Sequence, residues 1–258
     1  MGVVEREQRG RVRVVWLSRP DQRNALSAEL VDDLIAEISD ASAAEDTGAV
    51  VLAARGKVFC AGGDLKGSMG MSGGFLAAHQ GRGRFVQLMS AIPKCSVPII
   101  AAVHGDAMGG GLGLVAACDI VVAEKRARLG TPEIKLGLFP WIILAVLQRD
   151  VPRKKLAELV YTGGHWTADQ AERVGLVNHV VDTGDALERA VEIGAVIASR
   201  SPAIVALGKG AFHEVADLDY EHALAFMHGQ LSLNLLTEDA MEGIGAFLQK
   251  RAPEWKGR

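Results

Sequence analysis

With 258 residues, 49% of them apolar and 23% charged, the chain has the composition of an ordinary globular protein and can bury one substantial core. A formal net charge of -3 and the lack of any long Lys/Arg block leave no electrostatic footprint for nucleic acid or an anionic membrane surface. Three widely spaced cysteines, Cys60, Cys95 and Cys118, lack CxxC or metal-ligand spacing, so packed thiols in a reducing, cytoplasmic setting are expected, with no metal site.

The N-terminus, MGVVEREQRG, is charged and lacks the apolar run of a secretion signal. RVRVVWLS at 11–18 is short, β-branched and partly alternating, which predicts a strand ended by Arg19-Pro20-Asp21. Ser27 is placed to cap a helix in which Leu30, Val31, Leu34, Ile35 and Ile38 recur on one face. GAVVLAA at 48–54 predicts a second strand, followed by the loop RGKVFCAGGDLKG and a Gly/Met-rich segment at 67–74 expected to act as a mobile flap. PIIAAVHG reads as a third strand, GGLGLVAAC as a short helix and DIVVAE as a fourth strand, an alternation that implies an α/β architecture. The apolar stretch 97–123 contains His104, Asp106 and Asp119, which are costly in lipid, so it is a buried strand, helix and strand rather than a membrane span. From about residue 141 the pattern turns helical. Thr167 to Gln170 has the form of a capping box, Gly175 suits the end of that helix, and LVNHVV at 176–181 predicts a last strand. Beyond Ser201-Pro202 only helical periodicity remains, so the expected organisation is a core over 1–200 and a helical region over 201–258.

Two loops, Cys60-Ala61-Gly62-Gly63-Asp64 and Met108-Gly109-Gly110-Gly111, are rich in small residues. Glycine lets backbone N–H groups approach a ligand closely, and the first N–H groups of a helix lack intrahelical partners, so such loops suit an anionic oxygen. Packing of helix on sheet would also explain them. The letters Gly111 to Ala116 fit a GxGxxA dinucleotide fingerprint, but the acidic residue expected about 20 positions on at a strand end is missing. Glu124 comes too early, and Glu133 follows Thr-Pro outside a strand.

The blocks FCAGGDLK at 59–66, HGDAMGGGLGLVAACDIVVA at 104–123 and TPEIKLGLFP at 131–140 resemble, in order and spacing, the enoyl-CoA hydratase/isomerase family of the crotonase superfamily. The resemblance runs from RPDQRNALS at 19–27 to AFLQKRAPEW at 246–255. It implies an α/β spiral of ββα units with C-terminal helices that build trimers, often stacked as hexamers. It also implies that the amides of Gly63 and Gly110 hold the thioester oxygen of an acyl-CoA, and that Glu133 is the general acid or base. Coenzyme A is then part of the substrate, and no separate cofactor is expected. Arg23 and Lys66 fall where the family places basic residues near the CoA phosphates. Ala61 and Leu65 flank Gly63, with Asp64 in the same loop, where backbone groups contact adenine and pantetheine. Phe247 and Lys250 match a pattern that reaches the coenzyme, commonly from a neighbouring subunit. Phe139, Trp141 and Ile142 either line the acyl pocket or pack in the core.

Many hydratases of the family carry a glutamate two residues after the triple glycine, and this chain has Gly113 there. The leading expectation is an enoyl-CoA hydratase. A 3,2-enoyl-CoA isomerase using Glu133 as its single base is the close alternative, followed by an acyl-CoA-binding protein with impaired catalysis. Asp106 could substitute for the missing acid or simply form a turn, and His104 and His79 read as packed or solvated.

Overall fold

The computed structural model describes residues 2–64 and 74–258. Strands β1 (Val4–Arg9) and β2 (Val12–Leu17) form an antiparallel hairpin, and its tight turn uses Gly10 at φ 60°. Parallel strands β3 (Ala49–Ala54), β4 (Ile99–Val103), β6 (Ile120–Glu124) and β9 (His179–Val181) extend the sheet in the order β1-β2-β3-β4-β6-β9. β2, β3 and β4 are buried along their whole length, which explains their nearly unbroken apolar runs.

Side-chain alternation splits the burial between two faces. Val15, Leu17, Val50, Leu52, Ile99 and Ala101 join the larger core with helices α1 (Ala28–Ala43), α2 (Gly74–Lys94) and α3 (Gly110–Ala117). Val14, Trp16, Val51, Ala53 and Ile100 face α7 (Ala186–Ala198) on the other side, where Gly194 lets the helix lie close to Val12. The remaining elements of the core are α4 (Trp141–Asp150), α5 (Arg153–Thr162) and α6 (Ala168–Arg173). A second sheet, β5 (Ala107–Met108), β7 (Arg128–Gly130) and β8 (His165–Thr167), stands beside the second glycine loop.

Expected caps are present. The Ser27 hydroxyl accepts from Leu30 N, and Thr167 with Gln170 forms the reciprocal box at α6. β1 and α2 escaped the sequence pattern, as did the short strands β5, β7 and β8. β1 is polar and half-exposed at the sheet edge. α2 carries Gly81, Gly83 and Pro93 against its helical propensity, and is held by burial of Leu88, Met89 and Ile92. No single described helix is long and apolar enough to cross a membrane.

Helices α8 (Pro202–Val215), α9 (Tyr220–Leu235) and α10 (Glu238–Gln249) form the C-terminal region. α8 is docked by a buried charge cluster. Lys209 Nζ donates to Asp119 Oδ2 (2.7 Å) and to the Val97 carbonyl (3.0 Å), and His213 Nε2 lies 2.9 Å from Asp119 Oδ1. Burial pushes the Asp119 carboxyl up, but the His213 hydrogen bond, the Lys209 charge and the Ile99 amide outweigh it and hold Asp119 below its ordinary value. Lys209→Ala leaves Asp119 half-paired in the interior and should cost about 3–5 kcal/mol in urea unfolding. A depressed carboxylate stabilises the fold above its unfolded pKa and loses that contribution as pH falls through the folded pKa. The variant should therefore lose less stability than the parent on acidification.

Candidate active site

The first glycine loop is an extended segment pinned on both sides. Ala61 N donates to the Arg23 carbonyl, Leu26 N donates to the Gly62 carbonyl, and Asp64 N donates to the Leu26 carbonyl. On the other side Cys60 N donates to the Asp106 carbonyl and its own carbonyl accepts from Met108 N, a parallel bridge between Cys60 and Ala107. Because the Gly62 carbonyl and the Asp64 amide both face Leu26, alternation along the chain turns the intervening Gly63 N–H away from that ladder. Gly62 must be glycine: its φ is +97°, and a Cβ would stand 2.7 Å from the Met108 carbonyl oxygen and 3.3 Å from Gly110 N.

Gly110 opens α3, so its N–H has no acceptor within the helix. A Cβ on Gly110 would lie 3.5 Å from Gly63 N, which puts the two amides at one spot. Neither donates a backbone hydrogen bond among the described residues. The preceding Gly109, at φ +53° and ψ -123°, adopts a backbone that side chains disfavour. A Cβ there would also meet Glu133 Oε1 at 2.8 Å.

Glu133 lies in the short 3-10 turn Pro132–Leu136, whose first residue is a proline set for such a turn. Its Oε2 is buried with no hydrogen-bond partner among the described residues. Burial pushes the carboxyl up from its ordinary value, opposed only by a hydrogen bond from its own backbone. The site therefore combines two unengaged amides with a poorly solvated carboxylate. Such a group can stabilise negative charge growing on an oxygen while moving a proton nearby.

The comparisons with known proteins meet this geometry. Residues 7–258 match the family described as enoyl-CoA hydratase/isomerase. The chain belongs to that family. It is 37% identical over 257 residues to enoyl-CoA hydratase domain-containing protein 3, mitochondrial, of Rattus norvegicus, covering 97% of this chain and 83% of that protein. It is 36% identical to 2,3-dehydroadipyl-CoA hydratase of Escherichia coli, covering 99% and 98%. The crystal structure of an enoyl-CoA hydratase from Mycobacterium smegmatis, 36% identical, superposes with a TM-score of 0.94 over 99% of each chain. The fold is accordingly that of the crotonase superfamily.

Within this enoyl-CoA hydratase/isomerase fold the expected residues fall into distinct groups. Gly63, Gly110 and Glu133 converge as described. Ala61 and Asp64 border Gly63, and Asp64 pairs with Arg19 at 3.4 Å. Arg23 is exposed and in the left-handed region, its carbonyl fixing Ala61. Leu65, Lys66 and all of the expected flap except Gly74 lie outside the described residues.

Gly113, counted by the resemblance among the substrate-binding residues, is buried, and a Cβ there would run into Ile143 Cγ2, so the position serves close packing of α3 on α4. The Phe139 and Trp141 rings contact each other in a tilted arrangement, with centroids 4.8 Å apart and planes at 50°, and Trp141 is 76% exposed. Phe139 also lines a cavity of about 420 Å³ with Leu144, Leu156 and Tyr161. Phe247 is 81% exposed, and Lys250 ends α10 in the left-handed region. Asp106 is held by Arg128 through two hydrogen bonds of 2.9 and 2.5 Å, His104 Nε2 is 3.0 Å from the Gly56 carbonyl, and His79 is an exposed residue of α2. Cys60 lies between the loops, yet burial pushes its thiol up to about 12 and it donates to the Asn24 carbonyl, which leaves no nucleophile there. The GxGxxA letters are likewise taken up by packing, Gly111 against Cys60 and Gly113 against Ile143.

Three outcomes test this site. A methyl on Gly63 meets nothing within 4 Å among the described residues, so Gly63→Ala should keep the fold and the N–H, whereas Gly63→Pro, which removes the N–H, should lower kcat by about 10²–10³. Steady-state kinetics on both variants decides it. A raised Glu133 pKa favours the neutral form in the fold, so its contribution is present below the unfolded pKa and lost as pH rises through the folded value. Glu133→Gln should thus be more resistant to urea than the parent at neutral pH, with the gap closing in acid. Gly113→Ala should be less stable than the parent by thermal melting, because Ile143 has nowhere to go.

Proposed function

We propose that the protein is an acyl-CoA enzyme that adds water to a 2-trans-enoyl-CoA, with Glu133 as its acid-base group. The thioester oxygen accepts from the Gly63 and Gly110 amides. Glu133 takes a proton from a water molecule as the water oxygen bonds the β carbon, and electron density moves to the thioester oxygen as an enolate. Glu133 then returns the proton to the α carbon, so atoms balance with substrate and water and no further cofactor enters. The observation that carries this reading is the Glu133 carboxylate, whose buried Oε2 has no partner among the described residues, set against Gly109 beside a Gly110 amide that donates no backbone hydrogen bond among them. The relatives' names support hydration in particular.

The packing of Gly113 under Ile143 favours a second reading with the same parts. No second carboxylate stands at that position, and isomerisation of a 3-enoyl-CoA needs one base that takes a proton from the α carbon and returns it to the γ carbon.

For the coenzyme, Arg23 is an exposed cation beside the Gly63 loop, whereas Arg19 there is paired with Asp64. Phe247 and Lys250 would act across a subunit interface in a homotrimer or stacked hexamer. The exposed Leu224, Met227, Leu231, Leu236 and Met241 of the C-terminal helices support that assembly. The three buried, unpaired thiols fit a reducing compartment such as the cytoplasm.

Incubation with 2-trans-enoyl-CoA and, separately, 3-enoyl-CoA tests the reading, with products separated by chromatography and weighed by mass spectrometry. A 3-hydroxyacyl-CoA from the first supports hydration. Bond migration alone in the second supports isomerisation, and binding without turnover overturns both. Glu133→Gln should abolish turnover while keeping thioester affinity. The acid limb of kcat/KM should fall above the ordinary glutamate range, since the base works only when deprotonated.

A further inference from the structure

Asn24 is fully buried and holds a left-handed backbone, φ 53°, next to Arg23 at the same φ. Asparagine tolerates that region better than most residues. Its side-chain amide is nearly saturated. Nδ2 donates to the carbonyls of Arg55 (2.9 Å) and Val58 (2.8 Å), and Oδ1 accepts from Arg19 N at 2.9 Å. Its backbone N–H donates to the Arg19 carbonyl, and its own carbonyl accepts the Cys60 thiol at 3.1 Å.

These bonds join three separate pieces of chain at one residue: the turn after β2, the loop after β3, and the start of the first glycine loop. The residues on either side of Asn24 then set that loop. Arg23 receives Ala61 N, and Leu26 pairs with Gly62 and Asp64 around Gly63. The direction of the Gly63 N–H follows from this short ladder, since a shift of register by one residue would turn it toward Leu26.

We infer that Asn24 is a positioning residue for the Gly63 amide, fixing the register of the 23–26 segment against 61–64 and so aiming the N–H at the thioester oxygen. This rests on the reading of Gly63 and Gly110 as donors to that oxygen. Asn24 itself touches no reacting atom. Misplacing a donor by a fraction of a bond length weakens transition-state stabilisation more than ground-state binding, so the effect falls on kcat rather than KM.

The test uses the full chain and 2-trans-butenoyl-CoA as probe, with infrared spectroscopy of the bound thioester carbonyl in a Glu133→Gln background that blocks turnover. The parent background should shift the carbonyl stretch to lower frequency. Adding Gly63→Pro should remove the shift, and adding Asn24→Gly, which keeps the left-handed backbone but deletes three hydrogen bonds, should remove much of it. In otherwise unaltered enzyme, Asn24→Gly should lower kcat by about 10- to 100-fold with KM changed only a few-fold.

If Asn24→Gly does not fold, Asn24→Asp carries the test. Ionised, it faces the Arg55 and Val58 carbonyls with no proton to donate. Protonation supplies one donor for the two carbonyls, and burial raises the pH at which it occurs, so the shift should be partly restored in acid and should weaken as pH rises and the carboxyl ionises. No carbonyl shift in the parent background overturns the donor reading and this inference with it. A shift in the parent that survives unchanged in both Asn24 variants overturns this inference alone, as does a kcat loss that merely tracks the unfolded fraction.

Discussion

Residues Cys60 to Asp64 run between two other segments and are hydrogen-bonded to both, to 23–26 on one side and to 106–108 on the other. The candidate site depends on that double pairing. It brings a loop that follows β3 against a loop that follows β4, and it leaves the Gly63 and Gly110 amides near one another with no backbone acceptor among the described residues. Neither loop alone makes a site. An oxyanion needs donors placed before the charge develops, and only a rigid pairing can hold two of them without side chains.

The glycines around this pairing serve different physical ends. Gly62 and Gly109 answer to backbone conformation and to close neighbours at once, the Met108 carbonyl in one case and the Glu133 carboxylate in the other. Gly111 and Gly113 are absent side chains beneath Cys60 and Ile143, which lets α3 sit tightly on its surroundings. Of these glycines only Gly63 would place a Cβ in open space among the described residues, which leaves room beside it for a ligand.

Buried acids divide in the same way. Asp119 is satisfied by Lys209, His213 and the Ile99 amide. Asp239 accepts from Ser201, Lys256 and Gly257, and Glu124 from Gly184 and Arg126. These hold the C-terminal helices, the chain end and the β9–α7 turn to the body of the fold. Glu133 differs from these three in that its buried Oε2 has no hydrogen-bond partner among the described residues; Glu37 Oε2 shares that lack but lies 3.9 Å from the Arg13 guanidinium. Unfavourable burial is tolerated at Glu133 because the fold is stabilised elsewhere.

The sequence by itself determined the alternating α/β order, the caps at Ser27 and Thr167, the two glycine loops and the family, because these rest on local periodicity and on residues whose chemistry is written in their type. It also singled out Glu133, through the flanking motif rather than through any property of a lone glutamate. Tertiary structure decided what local pattern cannot carry. β1 is a polar edge strand and α2 a glycine-containing helix, both held by distant partners. Gly113 faces Ile143, thirty positions on in the chain and with no sequence signal linking them. Asn24 stood unmarked in RPDQRNALS, although its left-handed backbone next to a tight turn is the kind of signal an asparagine can give. Its importance lies in three carbonyl and amide partners from segments up to 34 residues away, and such convergence exists only once the chain has folded.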